Sequence, residues 1–456
     1  MKTYKSYKQT GIDWIEEIPD SWDILRLKYL SEINNSNVDK NTNDNESPVL
    51  LCNYVDTYKN EKITNDLNFM KATASKAEIE KFSIIEGDVI ITKDSETPDD
   101  IAIPAYVQET TDNVLCGYHQ TLIRPKNVSG KFLFRFFQST GQRQYFETEA
   151  RGVTRYGLSL SSIQNMFTLL PSKEEQVSIT AYLDYKISLI DNLIFKNKQL
   201  IELLEEKKQA TINQAVIKGL DPNVKMKDSG IEWIGEIPEH WKVTKLKRMV
   251  SKIGSGVTPK GGSQVYQDTG IKFLRSQNIQ NDRLDLDDIA YISEEIDKNM
   301  SNSRVFKNDV LLNITGASIG RTYYYNSDEP ANVNQHVCII RPDVSILSDK
   351  YLYLVLLSKL GQTLIELNTT GSGREGLNFE SISNFVIFTP NMDNQNEIVT
   401  QVFKEIKKIY QLKEKLKHQN LLLQEYRQAL ISNAVTGKID VRDELIPEEF
   451  IKDQTL

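Results

Sequence analysis

The stretch GIEWIGEIPEHW, from Gly230 to Trp241, nearly repeats GIDWIEEIPDSW, from Gly11 to Trp22. Gly230 minus Gly11 is 219, and the same offset pairs Trp14 with Trp233, Pro19 with Pro238, Trp22 with Trp241 and Leu27 with Leu246. Far downstream it still pairs Ser139 with Ser358, Gly152 with Gly371, Arg155 with Arg374 and Gly157 with Gly376. Pro171 with Pro390, Gln176 with Gln395 and Asp221 with Asp440 complete the series. The chain is a tandem duplication, and the period defines the architecture. The offset drifts only inside the halves: Asp88 of EGDVIITK meets Asp309 of KNDVLLNI at 221, and Arg124 of HQTLIRP meets Arg341 of HVCIIRP at 217. A shared frame therefore carries two different middle sections.

At 456 residues the chain exceeds one ordinary core, which predicts two domains. Its 39% hydrophobic and 26% charged residues are ordinary for a globular protein. The opening MKTYKSYKQT has no apolar core of a secretory signal, and YLYLVLLSKL, from Tyr351, is too short to span a bilayer. Cys52, Cys116 and Cys338 are too scattered for a disulfide framework or a zinc knuckle, so a cytoplasmic protein without a membrane partner is expected. The net charge of −8 argues against a protein that simply coats nucleic acid, whose affinity comes from neutralised phosphates. It leaves room for local basic loops, or for a partner that shares the phosphate contacts.

Two runs, Ser172 to Lys218 and Asn391 to Thr436, contain neither glycine nor proline and are rich in Leu, Ile, Glu, Lys and Gln. Each predicts one long helix. A 4-3 spacing marks a seam through Leu183, Ile187, Ile190, Ile194, Asn197, Ile201, Leu204, Lys208, Thr211 and Ala215. Adding 219 gives Val402, Ile406, Ile409, Lys413, Leu416, Asn420, Leu423, Arg427, Leu430 and Ala434. The polar interruptions fall at different heptads, as expected if the two helices pair with each other. The segments before them carry short β-rich runs such as DVIIT, TLIRP, DVLLN and VCIIRP between Gly, Asn, Ser and Asp clusters. The expected fold is α+β: two tandem α/β domains, each followed by a long helix, with an internal pseudo-two-fold repeat. The boundaries follow as 1–170, 171–219, 220–389 and 390–456.

Motifs for chemistry are scarce. GSGVTPKGG, from Gly254, lacks the spacing of a phosphate-binding loop, and no dinucleotide fingerprint is present. One His and one Cys per half, His119 with Cys116 and His336 with Cys338, are too few for zinc. What remains is a set of polar loops with the residue types that read base edges: Arg and Lys for guanine, Asn and Gln for adenine, Ser and Thr for either. In the second half these are Ser255 and Lys260; Arg275, Ser276, Gln277 and Asn278; Thr315, Ser318 and Arg321; Asn334, Gln335 and His336; and Ser372 with Arg374. In the first half they are Lys93 and Ser95; Tyr118, His119 and Gln120; and Arg151, Thr154, Arg155 and Tyr156. Ordinary surface loops use the same residues, but these recur at matching places with changed identities. A standalone DNA-modifying enzyme and an inert scaffold remain the alternatives: missing cofactor and metal motifs count against the first, the varied loops against the second.

The paired WxxxIPxxW openings, GDVIITK and NDVLLNITGASIGR, the NQHVCIIRP stretch, and the Pro-then-acid-x-Gln helix starts at Pro171 and Pro390 carry a resemblance. Over essentially its whole length the chain resembles the specificity subunit of type I restriction–modification systems. The resemblance implies that each globular part is a target recognition domain and that the helices pack as an antiparallel coiled coil. It also implies a non-catalytic subunit that binds double-stranded DNA, each half reading one part of a split target. The helix pair would set the gap and dock two methyltransferase subunits. Those partners would bind S-adenosylmethionine, this chain holding no cofactor, and motor–nuclease subunits would complete the complex. TKDSETPDD lacks the glycines of TGASIG, and its acids would repel phosphate.

Overall fold

The computed structural model describes residues 2–110, 112–369 and 376–452. Both long helices form, at Lys173–Lys218 and Met392–Val435. The first opens on a capping box: Ser172 Oγ accepts from the Glu175 amide at 3.2 Å, and Glu175 Oε2 accepts from the Ser172 amide at 3.3 Å. The second is capped by Asn391 Oδ1, which accepts from the Asn394 amide at 2.9 Å. Gly219 (φ +75°) and Gly437 (φ +72°) take the left-handed turns that follow the two helices.

The chain condenses into two compact units. One gathers the residues up to Asn197 with those from Lys417 onward; the other holds Lys198 to Leu416. Each unit thus contains one globular segment and a stretch of both long helices.

In the first unit a five-stranded sheet runs Ser31–Asn35, Gln120–Pro125, Val89–Thr92, Pro104–Val107 and Lys62–Ile63, antiparallel except for the last pair. A three-stranded sheet, Val114–Cys116, Ser47–Cys52 and Met70–Ala74, lies beside it. The second unit repeats the plan with Val250–Ser255, Val337–Pro342, Val310–Asn313 and Thr322–Tyr324. Its companion sheet orders Ala290–Ile292, Ile271–Leu274, Ala331–Val333 and Arg304–Val305. Both companion sheets keep one parallel pair, Ser47–Cys52 with Val114–Cys116 and Ile271–Leu274 with Ala331–Val333.

The repeated motifs turn out to be the frame. Trp22 and Ile18 are fully buried in the first core, with Leu430, Ile431 and Ala434 from the end of the second helix. Trp241 and Ile237 are buried in the second core, with Ile212, Ala215 and Val216 from the end of the first helix. Each WxxxIPxxW opening is therefore a seat for a helix end. The glycine after that helix lies against it: a Cβ on Gly437 would come 2.4 Å from Pro19, and one on Gly219 would come 3.2 Å from Trp241. The helix starts are tied equally. Gln176 Oε1 accepts from the Ser129 amide at 2.7 Å while its Nε2 donates to the Pro171 carbonyl; Gln395 does the same with Ser348 and Pro390. Asp88 receives Arg124 through two bonds of 2.9 and 2.7 Å, and Asp309 receives Arg341 at 2.7 and 2.8 Å. Both carboxylates are buried, so these bidentate pairs clasp the central strands from within.

Along the helices none of the seam positions is exposed. In the first unit Asn197 Nδ2 donates to Asn420 Oδ1 at 2.8 Å, and Arg427 reaches Asp191 at 3.2 Å. In the second, Lys413 bridges to Glu205 at 2.6 Å, and Lys208 lies 5.5 Å from the Tyr410 ring. Within each unit one number rises as the other falls, so the strands of this coiled coil are antiparallel. The asparagine pair penalises any other register, because a slip would leave the buried Asn197 amide facing apolar neighbours.

The globular segment meets the helices differently in the two units. In the first, Arg135, only 5% exposed, bonds Asp184 at 2.7 Å, Glu61 at 3.3 Å and Gln138 at 2.9 Å, and Arg427 bonds Glu61 at 2.7 Å. In the second, rings meet instead: Tyr324 and Tyr353 at 5.2 Å, Tyr324 and Phe403 at 5.9 Å. Burial opposes the charge on Glu61, but the Arg135 and Arg427 guanidinium groups hold its carboxyl below the usual carboxylate range. Because the folded value is depressed, the contribution is full above the ordinary 4.5 and disappears as pH falls through the lowered folded value. Glu61→Gln is expected to flatten that acid loss, as measured by denaturant unfolding from neutral pH downward. A second prediction separates seat from turn. Gly230→Ala, left-handed at φ +75° with open space around it, costs about 1–2 kcal/mol. Gly437→Ala adds a collision with the Pro19 ring worth a further ~1–3 kcal/mol in the same assay.

Candidate nucleic-acid interface

In the first unit three separate loops meet at one end of the five-stranded sheet. Asp94–Ser95 pairs with Tyr156–Gly157 in an antiparallel bridge, and the Lys93 amide donates to the His119 carbonyl at 3.0 Å. Lys93 Nζ bonds Asp94 Oδ2 at 2.7 Å, and His119 Nδ1 lies 2.5 Å from the same oxygen. Burial opposes ionisation of Asp94, but the Lys93 ammonium and the His119 ring outweigh it and hold its carboxyl low. The acid of TKDSETPDD nearest the centre is thus neutralised within its own loop. Tyr118 packs its ring 4.3 Å from the His119 ring. Arg151, Thr154 and Arg155 are exposed around this cluster, and Tyr156 is half-buried.

The second unit assembles its loops likewise. Thr315 bridges to Gly376 through the backbone, and Thr315 Oγ1 is hydrogen-bonded to His336 Nδ1. Gln335 Nε2 lies 3.0 Å from His336 Nε2, and Gln335 Oε1 accepts from Thr258 at 2.6 Å. Asn313 Nδ2 donates to the Ser276 carbonyl at 2.8 Å, which brings in the RSQN turn. Arg275 bonds the Asp288 carbonyl at 2.6 Å, and Gln277 reaches the Asp288 carboxylate at 2.5 Å. Ser318 and Arg321 are half-buried on the turn after Thr315, Ser255 ends its strand half-buried, and Lys260 is exposed. Ser372 and Arg374 lie outside the described residues.

The two clusters are one geometry with different side chains. Asp94 and Thr315 stand 221 apart, His119 and His336 217, Gly157 and Gly376 219, matching the drifting offsets of the repeat. In each, a histidine Nδ1 meets the side chain whose backbone bridges the glycine. A carboxylate in one copy becomes a hydroxyl in the other, so the same scaffold presents a different set of donors and acceptors. Such a surface offers the donor and acceptor types that can read base edges. Among the described residues no group of three or more His, Cys, Asp or Glu could hold a metal.

Four of the polar residues face inward. Ser95 is buried and donates to the Thr97 carbonyl. Gln120 is fully buried, donating to the Cys52 carbonyl at 2.8 Å and accepting from Thr57. Asn278 is 1% exposed, donating to the Asp285 carbonyl and accepting from the Arg275 amide. Asn334, also buried, caps its turn by accepting from the His336 amide at 3.1 Å. They shape the loops from beneath. Sequence reasoning passed over Tyr58, whose ring stacks at 5.8 Å on Tyr54 of the candidate segment CNYVD, both on the helix Tyr54–Lys59. Tyr58 donates to Asp100 at 2.9 Å. The Asn53–Asp56 capping box and the i, i+4 tyrosines were the available signal.

The comparisons agree with this geometry. A family model described as the type I restriction modification DNA specificity domain matches residues 19–206 and again 238–419. The chain belongs to that family. It is 29% identical over 281 residues to the type I restriction enzyme EcoBI specificity subunit of Escherichia coli, covering 60% of this chain and 58% of that one. It is 22% identical over 450 residues to the MjaIX specificity subunit of Methanocaldococcus jannaschii, covering 96% and 97%. Among solved structures, a chain from a type I R-M system studied for complex assembly and conformational transition aligns with a TM-score of 0.70 at 16% identity, covering 92% and 99%. The HsdS subunit from Thermoanaerobacter tengcongensis aligns with a TM-score of 0.55 at 18% identity, covering 92% and 98%. No helix among the described residues is long and apolar enough to cross a membrane.

The buried and exposed candidates should separate experimentally. Gln120→Ala removes the oxygen acceptor of the buried Thr57 hydroxyl and one of the two donors to the Cys52 carbonyl, and is expected to destabilise the protein by ~1–3 kcal/mol in denaturant unfolding. Arg155→Ala, on an exposed loop, is expected to stay within ~0.5 kcal/mol of the parent.

Proposed function

We propose that this chain is the DNA-recognition subunit of a type I restriction–modification enzyme, without catalysis of its own. Segments 1–170 and 220–389 act as target recognition domains, each reading one part of a split, asymmetric site in double-stranded DNA. Segments 171–219 and 390–456 supply the helix pair that fixes the gap between the two parts and docks two methyltransferase subunits. Those subunits bind S-adenosylmethionine and methylate adenine; motor–nuclease subunits cut unmodified DNA; the assembly works in the cytoplasm.

The observation that carries this reading is the pair of loop clusters around His119 and His336, built on one backbone plan with exchanged side chains. Duplication followed by divergence at the exposed loops is what two readers of unlike sequence require. The net charge of −8 fits a subunit whose partners share the phosphate contacts.

Exchanging residues 220–389 for the matching segment of another family member, then sequencing the methylated adenines of the host, tests it. The account predicts that one part of a bipartite methylated motif changes while the other part and the gap persist. A motif that stays whole, or changes in both parts, contradicts it.

A further inference from the structure

The two places where a globular segment joins the helix pair are equivalent by the repeat but opposite in chemistry. In the first unit the joint is ionic: Arg135 ties Glu61 to Asp184, and Arg427 ties Glu61 to Asp191. Adding 219 to Arg135, Asp184 and Asp191 gives Leu354, Phe403 and Tyr410, and subtracting it from Arg427 gives Lys208. Leu354 is fully buried in the second core. Phe403, Tyr410 and Lys208 line a cavity of about 420 Å³ with Tyr324 and Tyr353. Where guanidinium–carboxylate bonds tie the first globular segment to its helices, ring contacts do so in the second; the ion pairs of Lys208 and Lys413 with Glu205 lie within the helix pair alone.

These two kinds of joint respond differently to their surroundings. The ionic one is only partly shielded: Glu61 and Asp191 have side chains 42% and 53% exposed, within reach of dissolved salt, whereas Arg135 is 5% exposed. Ion pairs at that depth weaken as ionic strength rises, while packed aromatic rings do not. The directional bonds of Arg135 and Arg427 also fix an angle, because a planar guanidinium donates to carboxylates only along its own edges. Glu61 adjoins the strand Lys62–Ile63, which hydrogen-bonds into the sheet whose end carries Lys93, Asp94 and His119. Whatever the network fixes is therefore passed to the loop cluster through one sheet.

We infer that Glu61, Arg135 and Arg427 are positioning residues that make the gap preference of the protein salt-sensitive through its first half alone. This rests on the reading of the chain as a two-part DNA reader. With the network intact, the first loop cluster holds one angle to its stretch of helix; with it loosened, a target whose gap is one base pair too long is accepted more readily. The aromatic joint of the second unit contributes no such dependence.

The test uses the full chain in complex with its methyltransferase subunits, and duplexes carrying the methylated motif with its natural gap or with one base pair added. The quantity read is the ratio of the two dissociation constants across a salt series, in which phosphate contacts common to both duplexes cancel. In the parent this ratio is expected to fall as salt rises. Glu61→Gln, a near-isosteric change at a half-exposed site, is expected to lower it at low salt by about fivefold, at the modest end of couplings between separate sites. Arg135→Leu, Asp184→Phe, Asp191→Tyr and Arg427→Lys together install the second joint's residues in the first and are expected to make the ratio independent of salt. Ratios in Glu61→Gln that match the parent at every salt concentration overturn the inference, whether or not the fourfold variant folds. Absence of specific binding by the parent to the natural-gap duplex would instead overturn the DNA-reading function itself.

Discussion

Each long helix ends against a tryptophan and a proline of a WxxxIPxxW opening, and the rest of the molecule depends on that contact. In the first unit the seat is Pro19 and Trp22 and the visitor is the end of the second helix; in the second, it is Pro238 and Trp241 with the end of the first. Removing a buried tryptophan from water is among the larger single contributions a core can receive. Because each seat receives the helix end of the other repeat, the duplication is completed in three dimensions. The glutamines at positions 176 and 395 then fix the helix starts, so each helix is held at both ends.

That frame explains where divergence is tolerated. Shared residues that turn inward are Trp22 and Trp241, the bidentate Asp–Arg pairs, the glutamine ties and the left-handed Gly219 and Gly437. Many of the side chains that differ sit on loops whose backbone path is already decided, as when Asp94 and Thr315 each bridge a glycine and meet a histidine Nδ1. Changing such a residue alters the chemistry offered to the outside without altering the support beneath. A pair of readers can diverge on these terms while the helices keep a single register, which the Asn197–Asn420 bond reinforces.

Much of this could be read before any coordinates. The glycine- and proline-free runs gave both long helices to within a residue or so, and the seam positions are all withdrawn from solvent, because helical periodicity is a local property of sequence. The clustering of loops could be anticipated only through the repeat. Direction was harder. Gln120, Asn278 and Asn334 are of the residue types that can read base edges, yet their hydrogen bonds turn toward neighbouring backbone, and composition carries no sign of which way an amide faces. The ionic and aromatic joints were equally hidden, since Glu61 and Arg135 are 74 residues apart and only the fold brings them together.

Hydrogen exchange on paired variants tests the crossed seating most directly. Trp22→Ala should speed exchange at Leu430–Ile439 while leaving Ile212–Gly219 as in the parent, and Trp241→Ala should do the reverse. Both substitutions loosening the same helix end, or neither loosening any, would contradict the architecture on which the account stands.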